Sequence, residues 1–420
     1  MKTKHLLIAL VLFASLLLAS CGSKDAPVPV VPEGAKAGDL VNLQPCMYKA
    51  GDTEYSADCG TLVVPENRSN SGSRLIALPL IRVHALGANP ADPIFFFQGG
   101  PGSSNLHFQY LEGLVDGHDF VQVGYRGADG SVVFDCPEIE DVIRNSPRIL
   151  SDTAVADYRE ASSQCAARLE AEGVDLAGYT MTEVINDTEA ARIALDYERI
   201  NLLGESYGTR VETIYERMYP DSLNRVVMVA VNPPGHFVWA PDVIDAQIED
   251  YAKLCAKDPK CSSRTDDLVA SMRHVSENMP DHWLFMPIDP DMVKFMSFLM
   301  FMESTTPSDS PVQFSGPAAI DMWLAAEKGD PSGMAILSML GKMIAPNSFI
   351  FGDLLAKASS GGDFIDPAVN ARERLDPSGS IIGSPMSLLY SGMIDGWSKH
   401  LIPEEYWQMQ PTNVETLLVS

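Results

Sequence analysis

The feature that most constrains this chain is Gly204-Glu205-Ser206-Tyr207-Gly208, preceded by the apolar run Ile200 to Leu203 and followed by a stretch of helical period. A serine between two glycines at a strand-to-helix junction fits a sharp turn, where the absence of side chains on either side admits strained backbone and close approach. Such a turn lifts the serine hydroxyl above a sheet, and the helix that follows aims its N-terminal amides and positive dipole end at the space in front of it. Ser206 is therefore the candidate nucleophile, with the Tyr207 amide a candidate oxyanion donor. A turn serine without chemistry is the plain alternative.

The pattern around this junction is that of an α/β protein. Gly60 to Val64 and Leu75 to His84 read as an antiparallel opening to a sheet, with a turn at Asn67 to Ser73. Pro93 to Phe97 and Asp119 to Tyr125 are continuous apolar runs, the mark of strands buried on both faces. Thr180 to Leu195 spaces Val184, Thr188, Ala191 and Leu195 along one helical face, and Arg225 to Val231 reads as a further strand. Strands alternating with helices predict a mostly parallel sheet with helices on both faces. From residue 240 to 380 the texture becomes methionine-rich and helical, predicting an inserted cap whose stripe of Met292, Phe295, Met296, Phe298, Leu299, Phe301 and Met302 is core rather than a cofactor box. Residues 381–420 are expected to return to the sheet, with short strands at Ser387 to Ser391 and Val414 to Val419.

A second glycine-rich signal, Gln98-Gly99-Gly100-Pro101-Gly102, follows the strand at Pro93 to Phe97. Bare backbone there lets an amide approach a substrate oxygen, and Gly100 is the best candidate for a second oxyanion donor. Together with Cys59-Gly60, Val64-Pro65-Glu66-Asn67, Tyr125-Arg126-Gly127, Phe134-Asp135-Cys136-Pro137 and the extended elbow Gly204 to Arg210, this loop resembles the proline iminopeptidase and tripeptidyl aminopeptidase group of α/β-hydrolase serine peptidases. The resemblance covers residues 45 to 235. It implies an α/β-hydrolase fold with a helical cap, an acyl-enzyme on Ser206 and release of residues or short peptides from free N-termini; that chemistry needs no cofactor, and with no C-x-x-C and no clustered histidine no metal site is expected. Relatives often begin the glycine loop with His, where this chain has Gln98.

The rest of the triad is less plain. In this fold an acid and then a histidine follow late strands. Asp395 matches the acid's place after a strand, but His400 comes too soon after it to leave room for the usual helix and strand. His236, His274 and His282 precede any such acid. The run Val414 to Ser420 matches the late strand better, which places the acid and histidine beyond Ser420 and leaves the sheet domain incomplete and catalytically crippled. Arg126 is expected to be structural, Asp187 to supply helix polarity, and Glu303 and Glu327 to face solvent.

The N-terminus speaks of export. Lys2 and Lys4 precede the apolar run Leu6 to Ala19, and Leu18-Ala19-Ser20-Cys21 resembles a bacterial lipobox, in which Cys21 receives a diacylglycerol. Residues 1–20 then form a lipoprotein signal peptide, 21–44 a tether, 45–239 the core and 240–380 the cap. A membrane-anchored protein of the cell envelope, periplasmic or at the outer surface, is expected. The other cysteines form sequence-local pairs, Cys46–Cys59, Cys136–Cys165 and Cys255–Cys261; proximity suggests them as disulfides, though spacing alone leaves the connectivity open. Acidic residues outnumber basic ones 56 to 30, a balance that argues against nucleic acid as a partner. An esterase acting on small acyl esters and a binding protein that has lost its triad remain open as alternatives to the peptidase.

Overall fold

A computed structural model describes residues 28–303, 314–366, 368 and 371–419. The expected signal peptide and the expected lipidation site, Cys21, lie outside the described residues. An eight-stranded sheet, ordered β1-β2-β3-β5-β4-β6-β7-β10, forms the base. Its strands are β1 (Leu40–Ala50), β2 (Thr53–Pro65), β3 (Leu75–Val83), β4 (Ala91–Phe97), β5 (His118–Val123), β6 (Ile200–Glu205), β7 (Leu223–Val229) and β10 (Glu415–Val419). β1, β2 and β3 pair antiparallel, β3 meets β5 antiparallel, and every pair from β5 to β10 is parallel. A small hairpin, β8 (His282–Trp283) and β9 (Met286–Pro287), stands apart. The expected tether is shorter than its 21–44 bounds, because Leu40 already pairs with Leu62.

The helices before the cap are α1 (Pro137–Asn145), α2 (Asp152–Ala171), α3 (Met181–Ala194) and α4 (Tyr207–Met218). Those of the cap region are α5 (Pro241–Cys255), α6 (Pro259–Ser262), α7 (Leu268–Glu277), α8 (Pro290–Met302), α9 (Gly316–Glu327), α10 (Ser332–Ile344), α11 (Phe351–Ser360), α12 (Arg372–Leu375) and α13 (Pro385–Gly396). Local chemistry sets several of their starts. Ser151 accepts the Ala154 amide, Asp267 accepts that of Ala270, and Asp289 accepts those of Asp291 and Met292 with Pro290 in the first turn. Most of the methionine and phenylalanine stripe of α8 is buried cap core, as expected, while Leu299 is half-buried and Met302 is exposed at the helix end.

Two expectations need correction. The run Ser387 to Ser391 is not a strand: it lies within α13, where Pro385 to Ile394 are all buried. A short apolar stretch buried on every side carries no period that separates strand from helix. The close fit of α13 to α2 decides the matter, for a Cβ on Gly392 would touch Val155 and one on Gly396 would strike the Arg159 backbone. Residues 385–396 thus belong with the apolar cluster of the cap, and the chain rejoins the sheet only at β10. Nor does the sheet carry helices on both faces among the described residues. Leu62, Phe95, Phe97, Leu202 and Val226 lie in one cluster with residues of α3 and α4, whereas Ile94, Phe96 and Phe120 pack on the segment that contains Phe108, Leu111 and Val115.

The disulfides pair as expected. Cys46–Cys59 ties β1 to β2, Cys136–Cys165 ties the start of α1 to α2, and Cys255–Cys261 ties α5 to α6. Cys136, Cys165 and Glu138 also bring potential metal-ligating atoms within 4.8 Å, but the two sulfurs are bonded to each other and Glu138 takes Arg168 at 2.7 Å. Among the described residues no single helix is long and apolar enough to cross a membrane.

Candidate active site

Strand order places the site before any side chain is considered. β4 lies between β5 and β6, so the chain leaves β4 toward one neighbour and later returns on its other side. Ligands of open α/β sheets bind beyond the carboxyl ends of the strands at such a reversal. Phe97 of β4 is in register with Gly204 of β6, which sets the glycine loop directly beside the elbow.

Ser206 sits at that junction with φ 51° and ψ −115°, a left-handed conformation that a non-glycine residue adopts only under constraint. The constraint is visible. Its amide donates to Val229 O at 2.9 Å, and its carbonyl accepts the Thr209 amide at 3.0 Å and the Thr209 hydroxyl at 2.6 Å. A side chain on Gly208 would run into the Phe97 carbonyl, and one on Gly204 into the Glu212 carboxyl, so both glycines are required for helix and strand to approach. A Cβ on Gly99 would lie 3.1 Å from Ser206 Cβ, so the elbow and the glycine loop are in contact. Ser206 is partly exposed, and its hydroxyl makes no hydrogen bond among the described residues.

The loop itself is held from several sides. Asn105 Oδ1 accepts the Gln98 amide at 2.7 Å, and its Nδ2 donates to Phe96 O and Val123 O, so one side chain bridges the ends of β4 and β5. Asp129 accepts the Asn105 and Tyr125 amides, and the Tyr125 hydroxyl donates to Gln98 O at 3.0 Å. Gly100 and Gly102 have φ of 127° and 88°, values that only glycine adopts readily. The Gly100 and Tyr207 amides have no protein acceptor among the described residues, as oxyanion donors require.

Beneath the loop lies a buried ion pair that the sequence reading did not find. Asp353 Oδ2 accepts the Gly102 amide at 3.2 Å, and its other oxygen takes Lys357 Nζ. Lys357 also donates to Arg126 O and stands 4.6 Å from the centre of the Tyr125 ring. Both groups are fully buried, and burial pushes the Asp353 carboxyl up and the Lys357 ammonium down, each partly offset by the other. The signal available was an Asp–Lys pair one helical turn apart in α11, among residues otherwise small or apolar.

Other expected roles resolve plainly. Arg126 is fully buried; it grips Asp187 with two nitrogens at 2.6 and 2.7 Å and donates to Glu66 O and Gly178 O. It is structural, as expected, and Asp187, expected to supply helix polarity, is its buried ion-pair partner. Arg210, from the elbow's first turn, pairs with buried Asp363 and holds Asn232 and Pro233 O of the segment after β7. Asp395 does not follow a strand. It sits in the last turn of α13 and pairs with Arg159 of α2 at 3.0 Å and with Lys399. Among the described residues the histidine–carboxylate pairs are His84 with Asp58 and His282 with Asp281, and no histidine bonds Ser206. His236 is exposed after β7, and His400 is half-buried with Nε2 unpartnered.

A serine at a strained elbow, braced against a glycine loop at the sheet's reversal point, defines an α/β-hydrolase fold. Residues 92–253 match the alpha/beta hydrolase fold family. Within that fold the chain is distantly homologous to tripeptidyl aminopeptidase of Streptomyces lividans, at 24% identity over 54% of this chain and 44% of the relative. It is likewise homologous to the serine protease Hip1 of Mycobacterium tuberculosis, at 27% over 56% of this chain and 49% of the relative. The chain thus spans about half the length of the curated relatives it matches. Proline iminopeptidase of Mycobacterium smegmatis aligns over 69% of this chain and 72% of its own at 15% identity and a TM-score of 0.32.

Proposed function

We propose that this chain is an exported serine hydrolase of the aminopeptidase type, releasing residues or short peptides from peptide N-termini through an acyl-enzyme on Ser206. The observation that carries the reading is the contact of Gly99 with Ser206 at the left-handed elbow, which sets the serine against a loop whose Gly100 amide, like that of Tyr207, has no protein acceptor among the described residues. Ser206 Oγ would attack the scissile carbonyl, the Gly100 and Tyr207 amides would hold the oxyanion, and a histidine would take the serine proton and return it to the leaving amine. The names of the homologues favour a peptide over a simple ester. No step calls for a cofactor. The lipobox-like Leu18 to Cys21 supports attachment to a membrane through lipid.

Val419 O accepts the Ala230 amide at 2.9 Å, so the end of β10 stands level with the segment that follows β7, one strand from the elbow. One observation favours a second reading, a tethered binding protein without a triad: no described histidine bonds Ser206. Fluorophosphonate labelling separates the two. The protein is expected to label and to lose the label in Ser206→Ala, and a Ser206 without a general base would label about a hundredfold more slowly. Equal, Ser206-independent labelling of all forms would sink the hydrolase reading.

A further inference from the structure

Three of the sequence signals, the glycine loop at 98 to 102, Tyr125-Arg126-Gly127 and the run from Phe134 to Pro137, meet at the first turn of α11. The Gly352 amide donates to Phe134 O at 3.1 Å, and a Cβ on Gly352 would stand 2.6 Å from that oxygen. A Cβ on Gly127, whose φ is 84°, would stand 2.6 Å from Asp353 Oδ1. Asp353 therefore fills a slot that any side chain at position 127 would close.

From that slot α11 and the residue before it hold Gly102 by both of its backbone groups. Asp353 Oδ2 accepts the Gly102 amide at 3.2 Å, and the Ile350 amide donates to Gly102 O at 2.8 Å. Lys357, one turn on, takes the other oxygen of Asp353 and donates to Arg126 O at 3.2 Å, with its ammonium over the Tyr125 ring. Tyr125 in turn donates from its hydroxyl to Gln98 O at 3.0 Å. The two ends of the loop are thus tied to one buried pair, Gln98 through Tyr125 and Gly102 through Asp353. Between them the Gly100 amide has no protein acceptor among the described residues.

A stretch with glycine at 99, 100 and 102 has little conformational preference of its own, so the direction of the Gly100 amide is set from outside it. An oxyanion donor works because it is aimed before the charge develops, and a misplacement of about 1 Å can cost about a hundredfold in rate. We propose that Asp353 is a positioning residue for the Gly100 oxyanion donor, acting through the Gly102 amide, with Lys357 fixing the carboxylate that holds it. The catalytic consequence rests on the hydrolase reading above; the hold on Gly102 rests on the hydrogen bonds alone.

Two doubly substituted proteins separate this role from plain support of the fold. Asp353→Asn with Lys357→Met and Asp353→Leu with Lys357→Met both remove the buried charges, but only the first keeps an oxygen for Gly102. Hydrogen exchange at the Gly102 amide should stay within about threefold of native in the asparagine form and rise about tenfold in the leucine form, the yield of one buried hydrogen bond. With a fluorophosphonate probe, the leucine form should lose at least about tenfold in the limiting rate of Ser206 labelling, with the half-saturating probe concentration unchanged, and the asparagine form should recover most of that rate. Exchange at Gly102 that does not respond to the leucine form overturns the hold. Faster exchange with an unchanged limiting rate, a loss carried by the half-saturating concentration, or an equal loss in both forms overturns the positioning role. A native protein that does not label at Ser206 defeats the hydrolase reading and the positioning role together, while exchange at Gly102 still decides the hold.

Discussion

Ser206 and Glu212 belong to one strand-to-helix unit and stand in opposite relation to water. Ser206 is partly exposed and its hydroxyl makes no hydrogen bond among the described residues. The Glu212 carboxyl is fully buried against Gly204, with neither oxygen hydrogen-bonded, and burial pushes its pKa well above the ordinary carboxylate range. Glu216, whose own carboxyl burial raises and whose partner is Thr416 of β10, adds a like charge nearby. Between the ordinary value and the raised one, the folded chain holds a proton that the unfolded chain has released. Raising the pH therefore costs stability, with a slope of up to ~1.4 kcal/mol per unit for one proton, beginning above about pH 4.5. Glu212→Met removes the buried acid at similar volume. Denaturant unfolding followed from pH 5 to 8 should show a flatter decline and a gain of about 1–3 kcal/mol at pH 8; an unchanged slope would place the proton elsewhere.

At the scale of elements, α11 shows what one helix does for a distant loop. Its Asp353 holds the Gly102 amide, its Lys357 holds Arg126 O, and a Cβ on Gly102 would lie 2.9 Å from Leu354 Cβ, so the helix and the glycine loop are fitted to one another. Removing one member of a buried pair leaves an uncompensated charge, at a cost of about 3–5 kcal/mol. Lys357→Met should lose that much in denaturant unfolding, and Asp353→Asn with Lys357→Met should regain most of it, since the asparagine oxygen can still accept from Gly102. A double variant no better than the single one would mean that packing, not charge, sets the loss. The contrast between this pair and the elbow explains what the sequence could reveal. Gly204 to Gly208 and Gln98 to Gly102 declare themselves because each depends on neighbours in the chain: an apolar strand before, glycines that backbone geometry demands. Strands β2 to β7 were legible for the same reason, as alternation or continuous apolar runs. Asp353 meets Gly102 only through the tertiary fold, and nothing near either residue points to the other. Asp395 was misplaced because Ser387 to Ser391 is apolar without period, and only packing on α2 makes it helix.

At the scale of the whole molecule, net charge bears on the membrane attachment proposed through Cys21. The chain carries a formal net charge of −26, so its summed field is repelled by anionic lipid headgroups, and salt weakens that repulsion rather than an attraction. Among the described residues no single helix is long and apolar enough to span a bilayer. The attachment proposed above is through acyl chains on Cys21, each buried CH₂ contributing about 0.8 kcal/mol. Two consequences follow that an electrostatic or a spanning attachment would not share. Cys21→Ser should move the protein from the membrane pellet to the soluble fraction and abolish incorporation of radiolabelled palmitate. Washing the native protein's membranes with 1 M salt, which shortens the screening length to about 3 Å, should release none of it. Release by salt, or a Cys21→Ser protein that stays in the pellet, would show that the folded body itself binds the surface.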